Sequence, residues 1–159
     1  MGAVGRFARV CIDAEEWTMK RLSALATHLG RRSSLPEHLI TGIAGEQAAY
    51  FELRRRGYQI VAQRWTNKQL SGDVDLIGWD GEWLCFIEVK SRTKRDNTPA
   101  QTAIDDAKRQ MLRSMARAYL RTFAEAERPT IPVRFDIVAV YLLKEATEIK
   151  IFPAAFGWN

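Results

Sequence analysis

Apolar positions along the chain follow two periods, and the clearest segment is Gly72 to Lys90, GDVDLIGWDGEWLCFIEVK. Two alternating apolar runs meet there at Asp80-Gly81, the signature of a β-hairpin closed by a type I′ turn. With the turn at those two residues, Trp79 faces Glu82, Ile77 faces Leu84, Asp75 faces Phe86 and Asp73 faces Glu88. Side chains on a strand alternate faces, so Asp73, Asp75, Glu82, Leu84, Phe86, Glu88 and Lys90 share one side. Helical spacing governs other stretches. Ile12, Met19, Leu22, Leu25, Ala26 and Leu29 predict a helix over about 13–29 ended by Gly30, and Arg31-Arg32-Ser33-Ser34 before Pro36 reads as a linker. TGIAGEQAAYFELRRRG, from Thr41 to Gly57, predicts a second helix with a glycine stop. Glu46, Ala49, Tyr50 and Leu53 share one face of it.

Tyr58 to Arg64 alternates as a first strand, and a polar, basic loop from Trp65 to Ser71 leads into the hairpin. After a charged loop at Lys94 to Asn97, Thr98-Pro99 opens a helix that runs to about Phe123. Its apolar stripe is Ile104, Met111, Met115, Ala118 and Tyr119, and Lys108 falls within it, where lysines usually snorkel outward. Arg109, Arg113, Arg117 and Arg121 repeat every four residues on another face, either as a phosphate-tracking stripe or as a solvated surface. Ile131 to Leu142 reads as a central strand and Glu148 to Phe152 as the last one. The tail PAAFGWN offers Phe156 and Trp158 as anchors.

A chain of 159 residues with 47% hydrophobic residues is the size of one globular domain. Residues 1–40 form an amino-terminal helical extension and linker, and 41–159 form the domain. A net charge of +5 favours an anionic partner, nucleic acid before membrane. Cys11 and Cys85 are the two cysteines, too few for a disulfide framework and, with the distant His28 and His38, too few for a zinc site. A reducing, cytoplasmic setting follows. No run approaches the roughly 18 apolar residues of a membrane-spanning helix, and the opening MGAVGRFARVCIDAEE lacks a signal peptide's apolar core.

Chemistry concentrates on the hairpin. Asp75 and Glu88 are diagonal neighbours in the expected register, roughly 7–8 Å apart at Cα, with Lys90 beside them. Neighbouring anions on a half-buried sheet are costly, and a hard divalent cation, Mg2+ or Mn2+, taking an oxygen from each would offset that cost. Lys90 would then orient water or stabilise a phosphate oxygen. A solvated strand face is the plainer reading of Glu88 and Lys90. Glu46 is either part of such a site or a first-turn acid interacting with the helix dipole.

The ordered set GEQAAYFELRRRGYQIVAQRW, GDVDLI, FIEVKSR, the Lys108 helix, RFDIVAV and IFPAAF resembles a YraN-type family of uncharacterised bacterial proteins. GDVDLIG followed by IEVKS also resembles the PD-(D/E)xK core of restriction endonucleases and archaeal Holliday-junction resolvases. The resemblance covers about Gly42 to Phe156. It implies an α/β, restriction endonuclease-like fold: a central mixed sheet of about five strands flanked by helices. It implies catalytic positions at Glu46, Asp75, Glu88 and Lys90, an additional polar position at Lys108, and metal held by Asp75, Glu88 and the Val89 carbonyl. The family usually writes Gly-Glu-Ile-Asp where this chain has Gly-Asp-Val-Asp. The function implied is metal-dependent hydrolysis of phosphodiester bonds in DNA, branched or junction forms included, with Arg109, Arg113 and Arg117 on the nucleic acid. A homodimer is allowed and no membrane is involved. The alternative is a non-catalytic nucleic-acid-binding module on the same fold.

Overall fold

The computed structural model describes residues 3–28, 36–94 and 104–158, and side chains from Val10 onward within these except 23–28. Helix α1 is Ala3–His28 and α2 is Glu37–Arg55. Strands β1 (Gln59–Trp65), β2 (Val74–Asp80) and β3 (Trp83–Arg92) follow, then α3 (Asp106–Leu120), a short 3-10 turn at Arg128–Thr130, β4 (Val133–Leu142) and β5 (Thr147–Phe156). The strands form one sheet in chain order. β3 and β4 are parallel and every other pair is antiparallel. Parallel neighbours need a crossover connection, and α3 lies on it. The fold is therefore α/β with a mixed five-stranded sheet, as expected.

Each face of the sheet carries its own core. Ala49 and Leu53 of α2 pack with Leu76, Ile87, Val138 and Val140 on one face. Leu112, Met115 and Ala116 of α3 pack with Ile77, Phe86 and Phe135 on the other. Leu112 is fully buried and belongs to the α3 stripe, which Ala118 does not.

Helix boundaries differ from those read in the sequence. α2 begins one turn before Thr41, directly after Pro36, whose fixed φ suits a helix start. Its other end follows expectation. Gly57 takes a φ of +100°, the Gly57 amide donates to the Arg54 carbonyl and the Tyr58 amide to the Leu53 carbonyl, which is a Schellman stop. α3 begins at Asp106, because Asp105 is extended and its carboxylate caps the helix by accepting from the Lys108 amide at 2.7 Å. Thr98-Pro99, the 31–34 linker and Gly30 lie outside the described residues.

α1 starts well before residue 13, and of its apolar stripe the side chains of Leu25, Ala26 and Leu29 lie outside those described. Ile12 is buried, but Met19 and Leu22 are exposed. The helix is tied to α2 by charge. Arg54 donates to Glu15 at 2.6 Å, and Arg55 donates to Asp13 at 2.8 Å and pairs with Glu16. β5 continues past Phe152 to Phe156, through a register shift at Phe135/Ile137 where Ala154 adopts a φ of +52°. Phe156 stacks on Phe135 with centroids 4.9 Å apart and Trp158 meets the same ring edge-on at 5.0 Å, so both tail aromatics are anchors.

The hairpin is displaced from its expected register. Asp80 pairs with Trp83 and Ile77 with Phe86, so the loop is Gly81-Glu82. Gly81 has a φ of +59° and Glu82 is not in the positive region, the pattern of a type II′ turn with glycine first. The pairing moves by two residues. An even shift preserves faces, so Ile77, Leu84 and Phe86 stay on one side, in the core under α3, while alternation breaks around Asp75, where Val74 joins that core and Leu76 the opposite one.

Candidate functional site

The β2–β3 ladder is paired as far as Leu76 and Ile87, and Asp75 and Glu88 are the next residues beyond it on their two strands. The Val89 amide donates to Asp75 Oδ2 at 2.7 Å, so a carboxylate takes the place of a backbone acceptor. Glu88 is 3% exposed. Its Oε1 pairs with Lys90 Nζ at 2.9 Å, and its Oε2 faces Lys108 Nζ at 2.9 Å without an aligned hydrogen bond. Lys108 thus turns inward from α3 instead of snorkelling, and the Asp105 cap fixes the turn that carries it.

Electrostatics follow from this crowding. Burial, then the charge of Glu88, pushes the Asp75 carboxyl up to about 7, against the opposing pull of the Val89 amide and Lys108. Burial works against the Lys108 charge, but its ion pair with Glu88 and the nearby Asp75 and Asp73 outweigh it and raise its pKa. Lys108 is charged at neutral pH, and Asp75 stands near half-protonation.

A cleft of about 820 Å3 opens beside the pair, lined by Asp75, Glu88, Val89, Glu46 and residues of the first turns of α2 and the end of β3. Gly45 brings the helix this close. A Cβ there would lie 1.7 Å from Ser91 Oγ and 2.7 Å from Ser91 Cβ, so α2 sits on β3 only because residue 45 has no side chain. Glu46, the next residue, is gripped at both oxygens by Arg64, Nε to Oε2 at 2.6 Å and Nη2 to Oε1 at 2.9 Å. Arg64 carried no signal in the sequence beyond its charge. His38, set aside as distant, also lines the cleft.

Two carboxylates on adjacent strands and a third at the cleft wall are hard oxygen donors. Among the described residues, no three His, Cys, Asp or Glu side chains converge closely enough to form a metal cage. That donor set fits Mg2+ in the manner typical of the ion, with one or two carboxylates and the remaining positions left to water and phosphate.

Arg109, Arg113 and Arg117 do not converge on the cleft carboxylates. Arg109 and Arg113 lie over Phe156 at 5.9 and 5.6 Å, and Arg117 over Trp158 at 5.3 Å. Arg113 Nε also donates to the Gly157 carbonyl at 2.9 Å. These guanidinium groups fasten the carboxyl-terminal segment to α3.

Fold and cleft together describe an α/β domain with a buried and a half-buried carboxylate on adjacent strands of a mixed sheet. The chain belongs to Uncharacterised protein family UPF0102, whose model matches residues 45–140, a span containing Glu46, Asp75, Glu88, Lys90 and Lys108. A UPF0102 protein of Koribacter versatilis is 52% identical over 121 residues, covering 76% of this chain and 82% of its own. Another from Solibacter usitatus is 39% identical over 126 residues, covering 79% and 91%. One from Syntrophus aciditrophicus is 33% identical over 122 residues, covering 77% and 92%. Among the described residues no helix is long and apolar enough to cross a membrane.

Proposed function

We propose that this domain is a metal-dependent nuclease of PD-(D/E)xK type that hydrolyses phosphodiester bonds in DNA. The observation that carries the reading is the placement of Asp75 and Glu88 on adjacent strands at the cleft, with Lys90 and Lys108 both on Glu88. Asp75, Glu88 and the Val89 carbonyl would hold Mg2+ or Mn2+, and Glu46 would hold water at the margin. The cation, when bound, supplies Lewis-acid stabilisation of charge developing on the phosphate.

The chain's own residues supply the rest. Lys90, paired with the Glu88 carboxylate that lines the cleft, orients the attacking water and donates to a phosphate oxygen as charge builds there. Water attacks phosphorus and gives up a proton to solvent, the bond from phosphorus to one deoxyribose oxygen breaks, and that oxygen takes a proton from a second water as it leaves. Lys108 holds Glu88 from the opposite side, keeping its carboxylate aimed while the cleft fills. A net charge of +5 supports a polyanionic substrate, and two free cysteines suit a reducing, cytoplasmic setting.

A non-catalytic nucleic-acid-binding module is favoured by one observation: both oxygens of Glu88 already face ammonium groups. Single-turnover cleavage of linear and branched DNA in Mg2+ and Mn2+ decides between them. Lys90→Ala is expected to lower cleavage about 100-fold or more, the scale of one lost transition-state donor, while DNA binding persists. Equal cleavage by both proteins removes Lys90 from the chemistry. DNA binding without cleavage by the wild type selects the binding module.

A further inference from the structure

Arg64 is an arginine in the left-handed region, with a φ of +47°. Side chains avoid that conformation, and where it persists the surrounding structure holds it for a reason. The β1–β2 ladder pairs Gln63 with Leu76 and Trp65 with Val74, so Arg64 and Asp75 lie between those two pairs on neighbouring strands. From that position the guanidinium crosses to α2 and takes both oxygens of Glu46 at 2.6 and 2.9 Å. A two-point grip of this kind fixes the plane and the direction of a carboxylate, which a single ammonium cannot do. Glu46 lines the same cleft as Asp75 and Glu88, and Gly45 has already brought its helix against β3.

We propose that Arg64 is the positioning residue for Glu46, holding that carboxylate toward the Asp75–Glu88 end of the cleft so that it can serve a bound hard cation through water; this rests on the cation reading of Asp75 and Glu88. Two effects of Arg64 oppose each other, and their signs separate the roles. As a bare positive charge in the field of Asp73 and Asp75, it repels a cation, and its removal would tighten cation binding. As a grip on Glu46 it organises an outer ligand, and its removal weakens binding. Arg64 is more than half exposed, so solvent screens the first effect, and the second dominates.

The test is Mn2+ titration by calorimetry on the full chain, with wild type, Arg64→Gly, Arg64→Lys, Glu46→Gln and the Arg64→Gly/Glu46→Gln double variant. Glycine takes the left-handed region at no steric cost, so Arg64→Gly should unfold at a urea midpoint no lower than Glu46→Gln. Loss of an outer-shell partner typically costs affinity on the order of tenfold. Arg64→Gly and Arg64→Lys are therefore each expected to raise the Mn2+ Kd about tenfold, and the double variant should be no worse than Glu46→Gln alone. Unchanged or tighter binding in Arg64→Gly overturns the proposal, as does full additivity in the double variant. A wild type that binds no Mn2+ overturns the cation reading itself and, with it, this role.

Discussion

Glu88 and Asp136 are one register step apart on β3 and β4, since Ile87 pairs with Asp136 and Glu88 with Ile137. They leave the sheet from opposite faces, and both are almost wholly buried. Their surroundings differ in kind. Asp136 Oδ1 accepts from Arg134 Nε at 2.8 Å and from the Ala154 amide at 3.0 Å. Its Oδ2 accepts from Arg134 Nη2 at 2.9 Å and from the Tyr58 hydroxyl at 3.4 Å. Arg134 reaches on to Asp80 at 2.7 Å. Burial first, and then the Asp136 charge, pushes the neighbouring Cys85 thiol up to about 12 and raises the Tyr58 hydroxyl as well. That cluster is closed, with its donors fixed on strands and its titratable neighbours silent. Formal charge does not mark the open end, because Lys90, Lys108 and Arg64 match Glu46, Asp75 and Glu88 there, whereas Arg134 alone faces Asp136 and Asp80 at the closed end. Hydrogen bonding does. Asp75 is close to a second carboxylate and titrates near neutrality, and it faces a cleft. A buried carboxylate with every partner fixed builds the fold, whereas one left unbalanced beside open volume marks a place for a ligand.

The contrast breaks most severely at the closed end. Arg134→Met strands Asp136 in the core, and removing one partner of a buried pair typically costs about 3–5 kcal/mol. Urea unfolding should show that loss, while cation titration of the folded fraction stays unchanged. A wild-type urea midpoint would show that the closed network contributes nothing to stability.

At the open end the expected sign is opposite. Folding raises the Asp75 pKa from 3.8 to about 7, so between these values the folded protein keeps a proton that the unfolded chain has released. Stability of the metal-free protein therefore falls as pH rises from about 4 to about 7, and the loss is complete above that window. Asp75→Asn should remove the dependence and make the metal-free protein more stable at pH 8 by about 2–4 kcal/mol. Parallel pH–stability curves for the two proteins would mean that the neighbouring carboxylates are not strained.

The smallest effect belongs to the surface that belongs to neither cluster. Arg117 over Trp158 is an exposed cation–π contact, and a double-mutant cycle of Arg117→Gln with Trp158→Ala should give a coupling below about 1 kcal/mol. A larger coupling would make the tail a structural element on the scale of the Asp136 network.

Local chemistry was legible in the sequence and cross-strand chemistry was not. Alternation placed Glu88 and Lys90 on one face and Cys85 on the other, and that division of β3 holds because the register error was even, whereas in β2 alternation breaks around Asp75, between Val74 and Leu76. The error arose because Asp80-Gly81 satisfies a type I′ turn by composition, while Asp80 is in fact drawn into the strand end by Arg134 of β4. Lys108 looked like a snorkelling lysine because its partner lies on a different element. Arg64 and Asp136 were silent for the same reason. The grip on Glu46 depends on a backbone angle, and the Asp136 network joins residues as distant in sequence as Tyr58 and Ala154. The apolar period of α1 was legible, but the charged pairs that tie it to α2 were not.

The two-residue turn also sets an order of assembly. A β2–β3 hairpin closes over a short loop and can form within about 1–10 μs, whereas pairing of Leu84 with Val133 must wait for a far longer loop to close. Asp75 and Glu88 are thus brought together early, with Lys90 on the same strand but before α3 has delivered Lys108. A hairpin formed at that stage would hold the two carboxylates close with part of their compensation missing. Protonation of one of them at mildly acidic pH would relieve the repulsion that such an early hairpin carries.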